Sequence, residues 1–148
     1  MSRIRRILHA TDFSSASRAA FARAVEMAKT NRAELLLVHV MSPIVMPVGE
    51  GYISADVYNT LEASTRAASL QQLKTLLARA RKAGARARTL LLDGIAHERI
   101  VRAARTNRAD VIVIGTHGRT GLAKLFLGSV AGRVLAIAHC PVLTVRGK

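Results

Sequence analysis

The segment Gly115-Thr-His-Gly118-Arg-Thr-Gly121-Leu-Ala-Lys-Leu-Phe-Leu-Gly128-Ser129 carries the most readable chemistry in the sequence. Glycine lets the backbone come close to a ligand and adopt positive φ. Gly115 and Gly118 are therefore placed to turn N–H groups inward. Gly128 and Ser129 precede an apolar helical run, and the free N–H groups and dipole of a helix start favour an anion. One such terminus contributes about 0.3–1 kcal/mol per charge. The Ser129 hydroxyl adds a donor, and Arg119 and Lys124 add positive charge. The chemistry expected is phosphate binding. Two commoner phosphate loops are excluded by spacing: the sequence has no GxxxxGK[ST], and no GxGxxG after its first strand.

Other reactive residues are sparse. Asp12, in the run Thr11-Asp-Phe-Ser14, is an acid just past the first strand. The residues alone also allow it to be no more than a helix-capping acid. His117 lies within the glycine loop, where its type allows a phosphate donor or a base. His9, His39, His97 and His139 are scattered, and no pair has metal-ligand spacing on one face. Cys140 is the only cysteine, so no intrachain disulfide can form. It reads as a small packed side chain before Pro141. No catalytic residue is assigned.

These residues must be positioned by the elements around them. Ile4 to His9 reads as a buried strand, and Ser14 or Ser15 can cap the helix that follows. Ala16, Ala20, Ala24, Met27 and Ala28 share one helical face, with Asn31 at its stop. Glu34 to Val40 is a second strand, continuously apolar as in a strand covered on both faces. The connection 41–57 contains Pro and Gly and is expected to be irregular. It is long enough to be functional.

Leu70, Leu73, Leu77 and Ala80 then make a helical stripe ending near Gly84. Arg88 to Leu92 is the third strand, and Ala96, Ile100, Ala103 and Ala104 mark the third helix. Asp110 to Ile114 is the fourth strand, rich in β-branched residues. Val130, Val134, Ile137 and Ala138 mark the fourth helix, and Pro141 to Val145 the last strand. The order βαβαβαβαβ implies right-handed crossovers and a parallel sheet between helical layers. Ligands bind such sheets outside the carboxyl ends of the strands, where the glycine loop begins. No domain linker is visible, and no repeat beyond the βα alternation.

Composition sets further bounds. The sequence has 148 residues, the size of one domain, so residues 1–148 are expected to form a single unit. No apolar run approaches the ~18 residues of a membrane span. The N-terminal residues lack the apolar stretch of a secretory signal, and a cytoplasmic location is expected. The formal net charge is +14, which makes nucleic acid, anionic membranes and phosphorylated ligands plausible partners. The charge is spread over amphipathic segments such as 66–88 and 99–108. With no Trp, three Phe and two Tyr, there is little material for base stacking. A solvated basic face is the first reading, and a polyanion-binding face the second.

Gly115-x2-Gly118-x9-Gly128-Ser129 resembles the G-2x-G-9x-G-[S/T] signature of the ATP-binding branch of the universal stress protein family. The opening RRILHATDFS, the second-strand ending LLLVHV, the junction DVIVIGTHGRTG and the closing CPVLTVR resemble that family's landmarks in order. The similarity covers essentially the whole sequence. It implies an open five-stranded parallel sheet in order 3-2-1-4-5 with four flanking helices, a Rossmann-like α/β fold. It also implies ATP, or ADP or AMP, as ligand, with Mg²⁺ accompanying the phosphates.

By that resemblance, Ala10, Thr11 and Asp12 after the first strand lie beside the nucleotide, with Asp12 on the ribose and metal side. His39 or Val40 offers backbone contacts to adenine. Gly115, His117, Gly118, Arg119, Gly128, Ser129 and Val130 surround the phosphates. Ala10 departs from the family, many members of which have Pro there. A homodimer through the final strand, with Val142, Leu143 and Val145 at the contact, is implied as well.

The function expected is a nucleotide-binding regulatory or stress-response module. A slow ATPase or phosphoryl-transfer enzyme is the alternative. It is weakened because Asp12 is the only acid near the phosphates and no triad or carboxylate pair is visible. Nucleic-acid or polyanion binding through the basic helices is the second alternative.

Overall fold

Five apolar runs form five parallel strands in the computed structural model, which describes residues 2–44, 54–116 and 127–147. The order along the sequence is β1 (Arg6–Ala10), α1 (Ser15–Asn31), β2 (Glu34–Met41), α2 (Ala55–Lys82), β3 (Arg86–Asp93), α3 (Ala96–Thr106), β4 (Val111–Gly115), α4 (Ser129–Ile137) and β5 (Val142–Val145). In space the strands run β3-β2-β1-β4-β5. Leu8 of β1 pairs with Leu36 of β2 on one side and Ile112 of β4 on the other. The central strands β1, β2 and β4 are the most apolar because both of their faces are covered.

Alternation along the strands sorts side chains into two cores. Ile7, Leu35, Leu37 and Val113 pack beneath α1 and α2, against Ala20, Ala24, Leu73 and Ala80. Leu8, Leu36, Val38 and Ile112 pack beneath α3 and α4, against Ile100, Ala104, Ala131 and Val134. The alanine face of α1 lets that helix lie close on the sheet.

Several boundaries differ from the sequence reading. The connection expected to be irregular to 57 ends earlier, because Ser54 caps α2 and accepts the N–H of Val57 at 3.3 Å. The α2 stripe is shifted. Ser69, Leu73, Leu76 and Ala80 are buried, while Leu70 is 51% exposed. Leucines at 70, 73, 76 and 77 support two overlapping helical stripes, and tertiary packing selects between them. Strand β3 is longer than expected, running from Arg86 to Asp93 alongside the whole of β2. At α4, Ile137 is 49% exposed instead of buried, and Ala138 is the C-cap.

His9 lies in β1 with no solvent exposure, under the α1 layer and 5.9 Å from the Phe21 ring. A carbonyl only accepts, so His9 Nδ1–H is the donor to Val113 O at 3.0 Å. Its Nε2 has no partner among the described residues. Burial lowers the pKa to about 4, against smaller opposing effects from the Val113 bond and the Asp12 charge. A depressed folded-state pKa on a base means that the unfolded state binds more protons. Stability is therefore full above pH 6.5, the ordinary histidine value, and falls as pH drops from there toward about 4. The loss over that window is about 3 kcal/mol. Urea midpoints measured across it should fall for the wild type and stay flatter for His9→Leu.

Candidate functional site

The switch point of the sheet lies between β1 and β4, whose crossovers leave in opposite directions. A cavity of about 280 Å³ opens there, at the carboxyl ends of the strands. That volume is close to the ~300 Å³ at which small-ligand pockets begin. Its lining combines apolar side chains, Val40, Ala96, Ile100 and Val130, with polar ones, Thr11, Asp12, Ser17, Thr116 and Ser129.

The polar side is held by a tight turn. Asp12 Oδ1 accepts the Ser14 N–H at 3.0 Å and the Ser17 hydroxyl at 2.6 Å. Ser14, not Asp12, caps α1, taking the Ser17 N–H at 3.3 Å. Thr11 Oγ1 accepts the Phe13 N–H at 3.0 Å, and Phe13 itself sits at φ 63°. A bulky residue with positive φ is an outlier that its surroundings must enforce. Here the Phe13 ring is held against His39, with centroids 4.4 Å apart.

His39 Nδ1–H donates to the Thr11 carbonyl at 2.7 Å, which puts a proton on Nδ1 and fixes the orientation of the ring. The two expected adenine contacts therefore separate. Val38 O accepts from Thr11 N on the β1 side of β2. Backbone groups alternate sides along a strand, so those of Val40 also face the β1 side, beyond the point where β1 ends. The backbone of His39 faces β3.

The phosphate side is built differently from the sequence reading in two respects. Gly115 is the last residue of β4, and its φ is not positive. A Cβ there would lie 3.0 Å from the carbonyl carbon and oxygen of Ala16, so the close approach that requires glycine is that of α1. Gly128 is the N-cap of α4, and Ser129 is its first helical residue. The Gly128 N–H donates to the Thr116 carbonyl and is not available to a ligand. The donors left at this helix start are the N–H groups of Ser129, Val130 and Ala131, which have no intrahelical acceptor. The N-cap contributes no side-chain hydrogen bond to them.

Of the residues expected at the site, Ala10, Thr11, Asp12, His39, Val40, Gly115, Gly128, Ser129 and Val130 line this one cavity. His117, Gly118, Arg119 and Lys124 lie outside the described residues. The sequence reading missed Ser17 and Thr116. Ser17 stands three residues after the cap Ser14, whose hydroxyl takes its N–H. Thr116 donates its N–H to Val145 O at 2.9 Å, and its buried Oγ1 has no partner among the described residues. Its signal was only its place, one step past the end of β4. No cluster of three metal-binding side chains occurs among the described residues.

The model of the universal stress protein family matches residues 3–146. The protein belongs to this family. Universal stress protein MJ0531 of Methanocaldococcus jannaschii is 37% identical over 144 residues, covering 96% of this sequence and 82% of that protein. The solved structure of MJ0577, a universal stress protein of the same organism, is similar with a TM-score of 0.85 and 26% identity, covering 99% of each protein. A universal stress protein solved in complex with cAMP has a TM-score of 0.74 and 25% identity, covering 99% of this protein and 100% of the other. The sheet order and the four helices are those expected for a universal stress protein. Among the described residues, no helix is long and apolar enough to cross a membrane.

Proposed function

We propose that this universal stress protein holds an adenine nucleotide, ATP before ADP or AMP, in the switch-point cavity, and that occupancy serves regulation. The observation that carries the reading is the pairing of an apolar slot with a polar rim at one sheet end. Val40, Ala96, Ile100 and Val130 suit a flat base, with the Val40 backbone on its edge. Thr116 Oγ1 and the first N–H groups of α4 suit phosphate oxygens. A buried hydroxyl without a partner costs about 1–3 kcal/mol, which a ligand oxygen would offset. The related protein in complex with cAMP supports the class of ligand.

Asp12 would face the ribose and the metal. Mg²⁺ keeps several waters and binds through one or two carboxylates together with substrate phosphates. A single carboxylate on the cavity rim fits that habit. Mass spectrometry of nucleotide released from purified protein, followed by calorimetric titration of ATP, ADP and AMP, tests the proposal. Absence of binding by all three would refute it.

A homodimer through β5 belongs to the same proposal. β5 is a sheet edge, and Leu143, Leu135 and Ile137 are exposed on it and on α4. Val142 and Val145 are half-buried along the same strand. An apolar edge without a protecting charge is a pairing surface. In a two-fold contact, Leu143 would lie near its own copy. Leu143→Lys should therefore convert a dimer to monomer in light scattering at tens of micromolar. A wild-type monomer under the same conditions would exclude the contact.

A further inference from the structure

The end of the sheet opposite the cavity carries a row of arginines. Arg3, Arg5 and Arg6 lead into β1, Arg32 precedes β2, Arg86 and Arg88 open β3, and Arg108 precedes β4. Most of these side chains are exposed. The segments that form this edge, 2–6, 29–34, 79–88 and 102–110, contain only two acids, and both are engaged. Glu34 Oε1 accepts from Arg88 Nε. Asp110 Oδ2 accepts the backbone N–H groups of Arg5 at 2.7 Å and Arg6 at 2.9 Å. Arg3, Arg5, Arg6, Arg32, Arg86 and Arg108 have no ion pair among the described residues.

Two of these arginines occupy positions where the backbone favours a different residue. Helices α1, α2 and α3 all end at this edge in the same turn. In each, the residue after the turn is an alanine whose N–H reaches back five residues: Ala33 to Ala28 at 2.9 Å, Ala85 to Ala80 at 3.0 Å, and Ala109 to Ala104 at 2.8 Å. The residue before each alanine is left-handed: Arg32 at φ 53°, Gly84 at φ 98° and Arg108 at φ 53°. Glycine is the usual residue there, because a Cβ is crowded in that conformation. Only α2 uses it.

The other two turns share a near-identical pentapeptide, Thr30-Asn-Arg-Ala-Glu34 and Thr106-Asn-Arg-Ala-Asp110. Its Asn caps the helix both times, Asn31 Nδ2 to Met27 O at 2.9 Å and Asn107 Nδ2 to Ala103 O at 2.8 Å. The sequence reading found no such repeat, because it lies in turns and not in the apolar pattern. The turn geometry does not explain arginine at 32 and 108, and the charge does.

We infer that this edge binds the phosphate backbone of a nucleic-acid duplex. Sheet order puts Arg86, Arg32, Arg5 and Arg108 at the starts of four neighbouring strands, three interstrand steps or about 14 Å across. That matches about four base-pair steps of a duplex at ~3.4 Å per step. None of the edge segments contains an aromatic residue, which removes the stacking platform a single strand would need. None contains an exposed large hydrophobic side chain to insert into a membrane. The inference is independent of the nucleotide cavity, which lies at the other end of the strands.

Anisotropy of a short labelled DNA duplex tests it, with titrations between ~50 and ~200 mM salt. Four phosphate contacts predict a log–log salt slope near −4 for the wild type, using about −0.9 per contact. The double variant Arg32→Asn/Arg108→Asn should bind at least ~10-fold more weakly and reduce that slope by about 2. Its urea midpoint should not fall, because asparagine tolerates the left-handed conformation. The control Lys74→Gln/Arg133→Gln removes the same charge from α2 and α4, away from this edge, and should stay within ~2-fold. Equal losses in both double variants, no loss in the first, no binding by the wild type, or tighter binding to the single strand or to phosphatidylserine vesicles would each overturn the inference.

Discussion

Replacing Gly115 with valine is expected to lower stability by about 1–3 kcal/mol and to weaken nucleotide binding at least ~10-fold. A side chain at the end of β4 would meet the carbonyl carbon and oxygen of Ala16 at 3.0 Å and the Ser17 N at 3.2 Å. These are backbone atoms in the first turn of α1, with no rotamer through which to give way. The helix start must shift, and it carries the Ser17 hydroxyl that donates to Asp12. One substitution thus reaches both the packing of α1 on the sheet and the polar rim of the cavity. Gly132→Ala is the contrast. Among the described residues, a Cβ at 132 meets only the Leu127 side chain, at 3.6 Å, and removing a helical glycine favours α4. Urea unfolding with parallel ATP titration should separate the two variants. Equal midpoints and affinities would remove the packing argument for Gly115.

Gly115 also marks where the sequence could be read and where it could not. Its glycine is visible in the motif, but the reason for it is tertiary: a helix distant in sequence passes within contact of the strand end. The strands β2 and β4 were legible because both faces of each are buried, which leaves an unbroken apolar run. The start of α2 was not legible. Residues 55–68 are largely exposed, so no apolar stripe announces them, and the Ser54 cap follows a region rich in Pro and Gly. Asp12 was visible as an acid after a strand. Its bonds to Ser14 and Ser17 depend on a turn around Phe13, in a backbone conformation that no propensity for phenylalanine predicts. Thr116 was missed for a related reason. Its role follows from the meeting of the β4 end, the β5 end and the start of α4, places that the linear order of residues does not bring together.

Asp12 combines two duties that a pair of substitutions can separate. In the fold, its Oδ1 accepts from the Ser14 N–H and the Ser17 hydroxyl, and this arrangement shapes the entrance to α1. In the proposed complex, its negative charge would assist Mg²⁺ beside the phosphates. Asp12→Ala removes both. It should cost about 1–3 kcal/mol of stability by leaving partly buried donors unpaired, and should weaken ATP binding. Asp12→Asn keeps an amide oxygen where Oδ1 stands, so the turn and the urea midpoint should stay close to wild type. It lacks the negative charge, so the gain in ATP affinity on adding Mg²⁺ should shrink as it does in Asp12→Ala. The expected pattern is therefore one variant that loses stability and metal dependence together, and one that loses metal dependence alone. Titrations of ATP with and without Mg²⁺ in the three proteins, set beside their urea midpoints, read both quantities. If Asp12→Asn keeps the full wild-type response to Mg²⁺, the carboxylate serves the turn and not the metal, and the cation must be held by the phosphates and water without it.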